Sequence, residues 1–130
     1  QVVVNLLLNA ATAMGPAQDS KRRIFVRARR GLPGDRGANE VEISVADEGP
    51  GIPPEDLDRI FDPFFTTTQG TGLGLSVSYG IVQAHGGTLA ARNRDVGGAE
   101  FTIRLPEATA ARAVQGFAGE PANKAERKRA

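Results

Sequence analysis

The apolar period of this chain changes from helical to alternating near its start, and that change limits the possible folds more than any other feature. From Gln1 to Met14, Val2, Val3, Leu6, Leu7, Ala10, Ala13 and Met14 recur at the spacing of one helical face, and Gly15-Pro16 stops the run. From Ile24 the period falls to two. Ile24, Val26 and Ala28 alternate with Phe25, Arg27 and Arg29, and Val41, Ile43 and Val45 alternate likewise after the Gly/Pro-rich stretch Gly31 to Asn39. A helix with one apolar stripe and strands with one apolar face bury those surfaces by packing on each other.

The rest of the chain extends the pattern. Pro54 to Ile60 reads as a short helix, with proline at its start and acids in its first turns. A longer helix is predicted from about Leu73 to His85. Thr88 to Arg94 and Glu100 to Leu105 read as a closing antiparallel hairpin, whose connection Asp95 to Ala99 contains the turn pair Gly97-Gly98. This order predicts an α+β chain: a two-layer α/β sandwich with helices on one face of a mostly antiparallel mixed sheet.

At 130 residues the chain has the length of one domain, and it lacks any apolar run of the roughly 20 residues that a membrane-spanning helix needs. With no cysteine and one histidine, it cannot form disulfides, thiolate metal sites or a structural zinc centre, so stability rests on the core. Residues 1–106 hold 11 basic and 12 acidic side chains, which gives no indication of nucleic-acid binding. Residues 107–130 are rich in alanine and charge, with Val114 and Phe117 as the strong apolar residues, and read as a flexible tail or linker; a docked C-terminal helix is the alternative.

Three constellations point to chemistry. Asn5 and Asn9 lie one turn apart, about 6 Å along one helical face, among leucines. Either alone could be solvated or capping, but together they suggest a polar stripe facing a ligand, since unpaired buried amides are costly. Amide oxygen is also a suitable ligand for a Mg²⁺ that holds substrate phosphates. Asp47-Glu48-Gly49-Pro50-Gly51-Ile52 follows the second strand directly. It could be a plain turn; the functional reading is that the Asp47 carboxylate accepts a hydrogen bond from an exocyclic amine such as adenine N6, while Gly49 and Gly51 let the backbone approach the ring. Gly70-Thr71-Gly72-Leu73-Gly74-Leu75 opens the long helix, where free backbone N–H groups and the positive end of the dipole favour phosphate. It is neither the P-loop pattern nor the dinucleotide fingerprint, and a simple hinge is the structural alternative.

These segments occur in order around Phe61-Asp62-Pro63-Phe64-Phe65-Thr66-Thr67, and the combination closely resembles the histidine kinase family. Gln1 to Met14 looks like the family's N box, Asp47 to Ile52 its G1 box, Phe61 to Thr67 its F box, Gly70 to Leu75 its G2 box and Gly97 to Phe101 its last glycine box. Ser76 to Val82 with His85-Gly86-Gly87 is similar to the subgroup that includes nitrogen-regulation sensors. The likeness covers residues 1–106 and implies the Bergerat fold of a catalytic ATP-binding domain. It implies that ATP and Mg²⁺ are the cofactors, with Asn9 on the metal, Asn5 near the phosphates and Asp47 on adenine. Leu73 and Leu75 would lie beside the ligand, and Phe64 and Phe65 would anchor the lid or, alternatively, fill the core.

The resemblance implies further that the γ-phosphate goes to a histidine on the dimerisation hairpin of the same parent protein and then reaches a response regulator. A cytoplasmic setting without nucleic-acid or membrane contact by this domain follows, whether or not the parent is membrane-anchored. Hydrolysing relatives carry a Glu one turn before the metal Asn to activate water; Asn5 stands there, and an amide cannot take up that proton. His85 before Gly86-Gly87 reads as a helix-end residue and not as the phosphate acceptor. The chain departs from the family in two ways. Thr68-Gln69 run straight into Gly70, leaving either a trimmed lid or lost residues, and the strand that usually precedes the first helix is missing, so a domain truncated at its start is expected.

Overall fold

The computed structural model describes residues 1–16, 22–31, 39–66 and 72–108. Its elements are helix α1 (Val2–Met14), strands β1 (Ile24–Arg30) and β2 (Glu40–Asp47), a 3-10 turn at Pro54–Asp56, helix α2 (Gly74–Ala84), and strands β3 (Thr88–Asn93) and β4 (Ala99–Pro106). The four strands are ordered β1-β2-β4-β3 and every neighbouring pair is antiparallel, so the described sheet contains no parallel pair.

Register explains which side chains meet the helices. Val26 pairs with Val45, which pairs with Phe101 and then Ala91; the next inward row runs Ala28, Ile43, Ile103, Leu89. Because strand side chains alternate, these rows share one face. Onto it α1 brings Leu6 and Ala10, α2 brings Val82, and the segment after the 3-10 turn brings Ile60, all buried together. A fully buried aliphatic side chain contributes roughly 1.5–3 kcal/mol, so Leu6→Ala at 0% exposure should cost about 2–5 kcal/mol once the cavity is included. Ala13, expected on the buried face of α1, is exposed near the helix end. Val26 faces inward yet stays half-exposed at the β1 edge, because α1 packs chiefly over β2.

The other face carries charge across the strands. Glu42 accepts from Arg29 at 2.9 Å and Arg104 at 3.0 Å, and Arg92 pairs with Glu100 at 2.8 Å. The Arg29 hydrogen bond, assisted by Arg104 and opposed by partial burial, holds the Glu42 carboxyl below the usual carboxylate range.

Between Pro53 and Asp62 the expected short helix is realised only as successive tight turns. Asp56 N–H bonds Pro53 O, Arg59 N–H bonds Asp56 O and Asp62 N–H bonds Arg59 O, each three residues back instead of four. This winding turns Ile60 and Phe61 inward, and the Phe61 ring meets Phe101 edge-on at 6.4 Å and Tyr79 at 5.3 Å. The expected tail lies outside the described residues from position 109 onward.

Candidate functional site

β2 ends on Asp47, whose side chain lies 2% exposed under the β3–β4 turn. Its Oδ1 accepts from the backbone N–H of Gly49 at 2.8 Å and of Ala99 at 3.3 Å. Hydrogen bonds to a charged acceptor are the stronger kind, and two of them from fixed backbone hold the carboxylate in one orientation. Among the described residues Oδ2 has no donor. The neighbouring acid is used differently. Glu48 takes the Arg23 guanidinium at 2.9 Å and the Arg23 backbone N–H at 3.0 Å, which hold its carboxyl below the usual range. Glu48 is thus tied to the start of β1, while half of the Asp47 carboxylate remains open.

The loop after Asp47 is held from behind. Ile52 is fixed through both of its peptide groups, its N–H donating to Asn93 Oδ1 and its carbonyl accepting from Asn93 Nδ2, each at 2.7 Å. Gly51 has φ +80°, and a Cβ there would lie 2.8 Å from Asn93 Oδ1, so side chain and backbone conformation both argue for glycine. Gly98 has φ +85° and backs directly onto the Asp47 carbonyl, where any Cβ would clash. The backbone of Asp47 therefore touches the turn that the sequence reads as the last glycine box.

α1 joins this end to the other motifs. Near its C-terminus, Met14 and Ala13 flank Gly49, since a Cβ there would be 3.4 Å from the Met14 side chain. Near its N-terminus Asn5 Nδ2 donates to the Ser78 hydroxyl at 3.1 Å and to the Gly74 carbonyl at 3.4 Å, at the start of α2. Asn9, half-buried one turn closer to Gly49, makes no hydrogen bond with the described residues. Leu75 packs against the core and Leu73 is exposed at the helix entrance, with no side-chain cap on α2. Phe65 packs against the core under the Arg59 guanidinium, 4.7 Å from the ring centroid. Phe64 is 74% exposed at φ +65°, its N–H bonding the Gly72 carbonyl at 3.0 Å. Of the alternatives for this pair, core filling describes Phe65 and not Phe64. Gly70, Thr71 and the shortened lid at 68–69 lie outside the described residues.

No cluster of three acidic or histidine side chains fit for a metal exists among the described residues. A cation here would need oxygen donors from a ligand as well as the Asn9 amide, a donor set that suits Mg²⁺. Two open hollows of about 240 and 330 Å³ lie on the charged sheet face, lined by the Arg92–Glu100 and Glu42 pairs, and the smaller also reaches Ala46 and Arg94 beside the end of β2. His85 is the C-cap of α2, with Nδ1 2.8 Å from the Ile81 carbonyl. Sequence reasoning assigned no role to Asn93, Arg94 or Ser78. An Asn-Arg pair at a strand end carries no periodic signal, and a serine inside a helix reads as neutral; Ser78 alone could have been suspected, since it stands at helical spacing between the apolar Leu75 and Val82.

A helix-covered antiparallel sheet, with glycine-rich turns near both ends of its first helix, defines the α+β class to which this molecule belongs. The chain belongs to the histidine kinase-, DNA gyrase B- and HSP90-like ATPase family, which its residues 1–109 match. It is 43% identical over 107 residues to the sensor histidine kinase ZraS of Salmonella typhimurium, covering 82% of this chain and 21% of ZraS. It is 46% identical over 118 residues to the two-component sensor PprA of Pseudomonas aeruginosa, covering 87% of this chain and 12% of PprA. The chain thus spans about a fifth or less of these curated relatives. Among solved structures it is similar to the catalytic domain of histidine kinase ThkA, with 38% identity, a TM-score of 0.68, and coverage of 82% of this chain and 64% of that one. Full-length ShkA in complex with AMPPNP gives 32% identity and a TM-score of 0.68, over 84% of this chain and 21% of that one. These likenesses bear out the α+β fold and the family, whose relatives named here are sensor histidine kinases and a two-component sensor. No helix of the described residues is long and apolar enough to cross a membrane.

Proposed function

We propose that this chain binds Mg-ATP and transfers the γ-phosphate to a histidine on the dimerisation hairpin of a two-component sensor kinase. The observation that carries the reading is the Asp47 carboxylate, buried, with Oδ1 held by two backbone N–H groups and Oδ2 open. An acceptor so fixed can take a hydrogen bond from an exocyclic amine such as adenine N6 without reorganising. From Gly49 beside Met14, α1 runs back past Asn9 to Asn5 at the start of α2, so one helix connects the proposed base end to the proposed phosphate end. Asn9, with no partner among the described residues, would hold Mg²⁺, which would neutralise phosphate charge when bound. Gly70, Thr71, Gly72 and Gly74 would line the phosphates, with Asn5 tied to the same helix entrance.

Among the described residues of the proposed phosphate site, none serves as a base for water. Asn5 is an amide whose Nδ2 already donates to Gly74 and Ser78. A neutral imidazole nitrogen brings its own lone pair, so the domain need only position the reactants and balance charge. Domain bounds of 1–106, with 107–130 as a tail, belong to this proposal, as do the histidine-bearing hairpin and a response regulator as partners.

The test is to incubate the chain with labelled ATP, alone and with the parent's acceptor-histidine hairpin. The expected result is negligible turnover alone and an acid-labile, alkali-stable phosphohistidine on the hairpin, with none on His85. Hydrolysis by the chain alone at rates near about 1–10³ per second would replace the kinase reading with that of an ATPase. Tight ATP binding without transfer would favour a regulatory nucleotide-binding module, the reading to which the short Thr68-Gln69 connection lends weight.

A further inference from the structure

We propose that Asn93, supported by Arg94, is a positioning residue that sets the geometry of the loop from Asp47 to Ile52 and so governs how well the site distinguishes its base. The inference rests on the reading of Asp47 as the base acceptor. Neither residue belongs to the motifs that the sequence reading assigned to ligand contact.

The two residues are consecutive where β3 ends, and they grip opposite ends of the same loop. Asn93 pairs with Ile52 in both directions at 2.7 Å, as a neighbouring strand would, although the two positions are 41 residues apart. Only one orientation of its amide satisfies both bonds, since the oxygen must face the Ile52 N–H and the nitrogen its carbonyl. Arg94 Nη1 donates to the Asp47 carbonyl at 2.8 Å, and its guanidinium lies 5.4 Å from the Phe25 ring centroid. Arg23 lies 5.2 Å from the same centroid and holds Glu48, so Arg94, Phe25, Arg23 and Glu48 form a continuous support behind Asp47. Ala99, paired with Asn93 across the hairpin, supplies the N–H that binds Asp47 Oδ1. The β3–β4 turn thus fixes the carboxylate, its backbone and the far end of its loop together.

A loop held only at Asp47, whose Oδ1 reaches as far as the Gly49 N–H, could swing Pro50 to Ile52 relative to the carboxylate. Recognition of a flat base needs the acceptor and the backbone over the ring to keep one relative placement, because hydrogen bonds weaken steeply with angle. Asn93 supplies that constraint through the one peptide segment that Asp47 does not reach.

The test compares ADP with the diphosphate of purine riboside, which lacks the exocyclic amine, by calorimetry on the 130-residue chain. The unaltered chain should favour ADP by about ten-fold or more, the worth of one charge-assisted hydrogen bond. In Asn93→Ala the preference should fall to about three-fold or less while the chain stays folded by circular dichroism. Asn93→Asp keeps the acceptor for Ile52 N–H but faces its carbonyl with a carboxylate. It should lose preference too, and it serves if Asn93→Ala does not fold. Arg92→Ala, whose side chain lies on the charged face with Glu100, should keep the full preference. A purely structural role would lower the melting temperature but leave the preference of the folded protein intact, and that result in both Asn93 variants would overturn the proposal. An unaltered chain that binds both diphosphates equally would instead overturn the Asp47 reading, before Asn93 enters.

Discussion

Replacing Asp47 by asparagine separates the two tasks that its carboxylate performs. Oδ1 accepts from Gly49 and Ala99, and an asparagine amide oxygen can accept from both. The second oxygen becomes an NH₂ group, which donates and cannot accept from an exocyclic amine. Asp47→Ala would confuse the effects, since it leaves two backbone N–H groups unpaired in a position only 2% exposed, at about 1–3 kcal/mol each. For Asp47→Asn the loss on the folding side is the difference between charged and neutral acceptance of the same two bonds, about 1 kcal/mol. On the binding side the whole charge-assisted bond is lost, about 1.5–3 kcal/mol, or roughly ten- to hundred-fold in Kd. Calorimetry with adenosine, ADP and ATP should give that factor for all three, because the loss is at the base and not at the phosphates. A folded Asp47→Asn chain with unchanged affinity for ADP would remove Asp47 from the base site and refute the reasoning.

Asn9→Ala should leave adenosine affinity within about two-fold and cut the gain that Mg²⁺ gives ATP binding, measured by titration with and without the metal; equal losses for adenosine and Mg-ATP would point to a disturbed helix instead. Glu42 supplies a pH test. Its carboxyl is held below the usual range by Arg29 and then Arg104, so it adds stability that is present above the ordinary glutamate value and disappears as pH falls through its lowered folded value. Its arginine partners are more than half exposed, so the contribution is about 1 kcal/mol or less, and Glu42→Gln should narrow the melting-temperature difference between pH 7 and pH 3.

The parts of the fold that were legible in the sequence are those whose residues repeat. The stripe from Val2 to Met14 and the alternations at Ile24 to Ala28 and Val41 to Val45 map onto α1, β1 and β2, because period and burial are the same information there. The segment Pro54 to Ile60 was less legible. Its acids and proline fit a helix start, yet the chain winds through tight turns that carry Ile60 and Phe61 to the core, a tertiary demand with no local signature. In the candidate site the ordered glycine boxes pointed to Asp47 and Asn5, and both occupy structured positions beside the helices and turns those boxes form.

What the sequence could not convey is which side chains hold the others. Asn5 illustrates the point: the pattern places it on a ligand-facing stripe, and in the structure its amide nitrogen also binds α1 to α2 through Ser78 and Gly74. A residue with both duties constrains interpretation of any substitution there. Asn5→Glu, which would introduce a possible base for water, would also set a carboxylate against the Gly74 carbonyl in place of a donor. Lost affinity in that variant would therefore say little about phosphate contact. Only a gain in hydrolysis would speak directly to the absence of a base at this position, because disrupting the helix contact cannot create one.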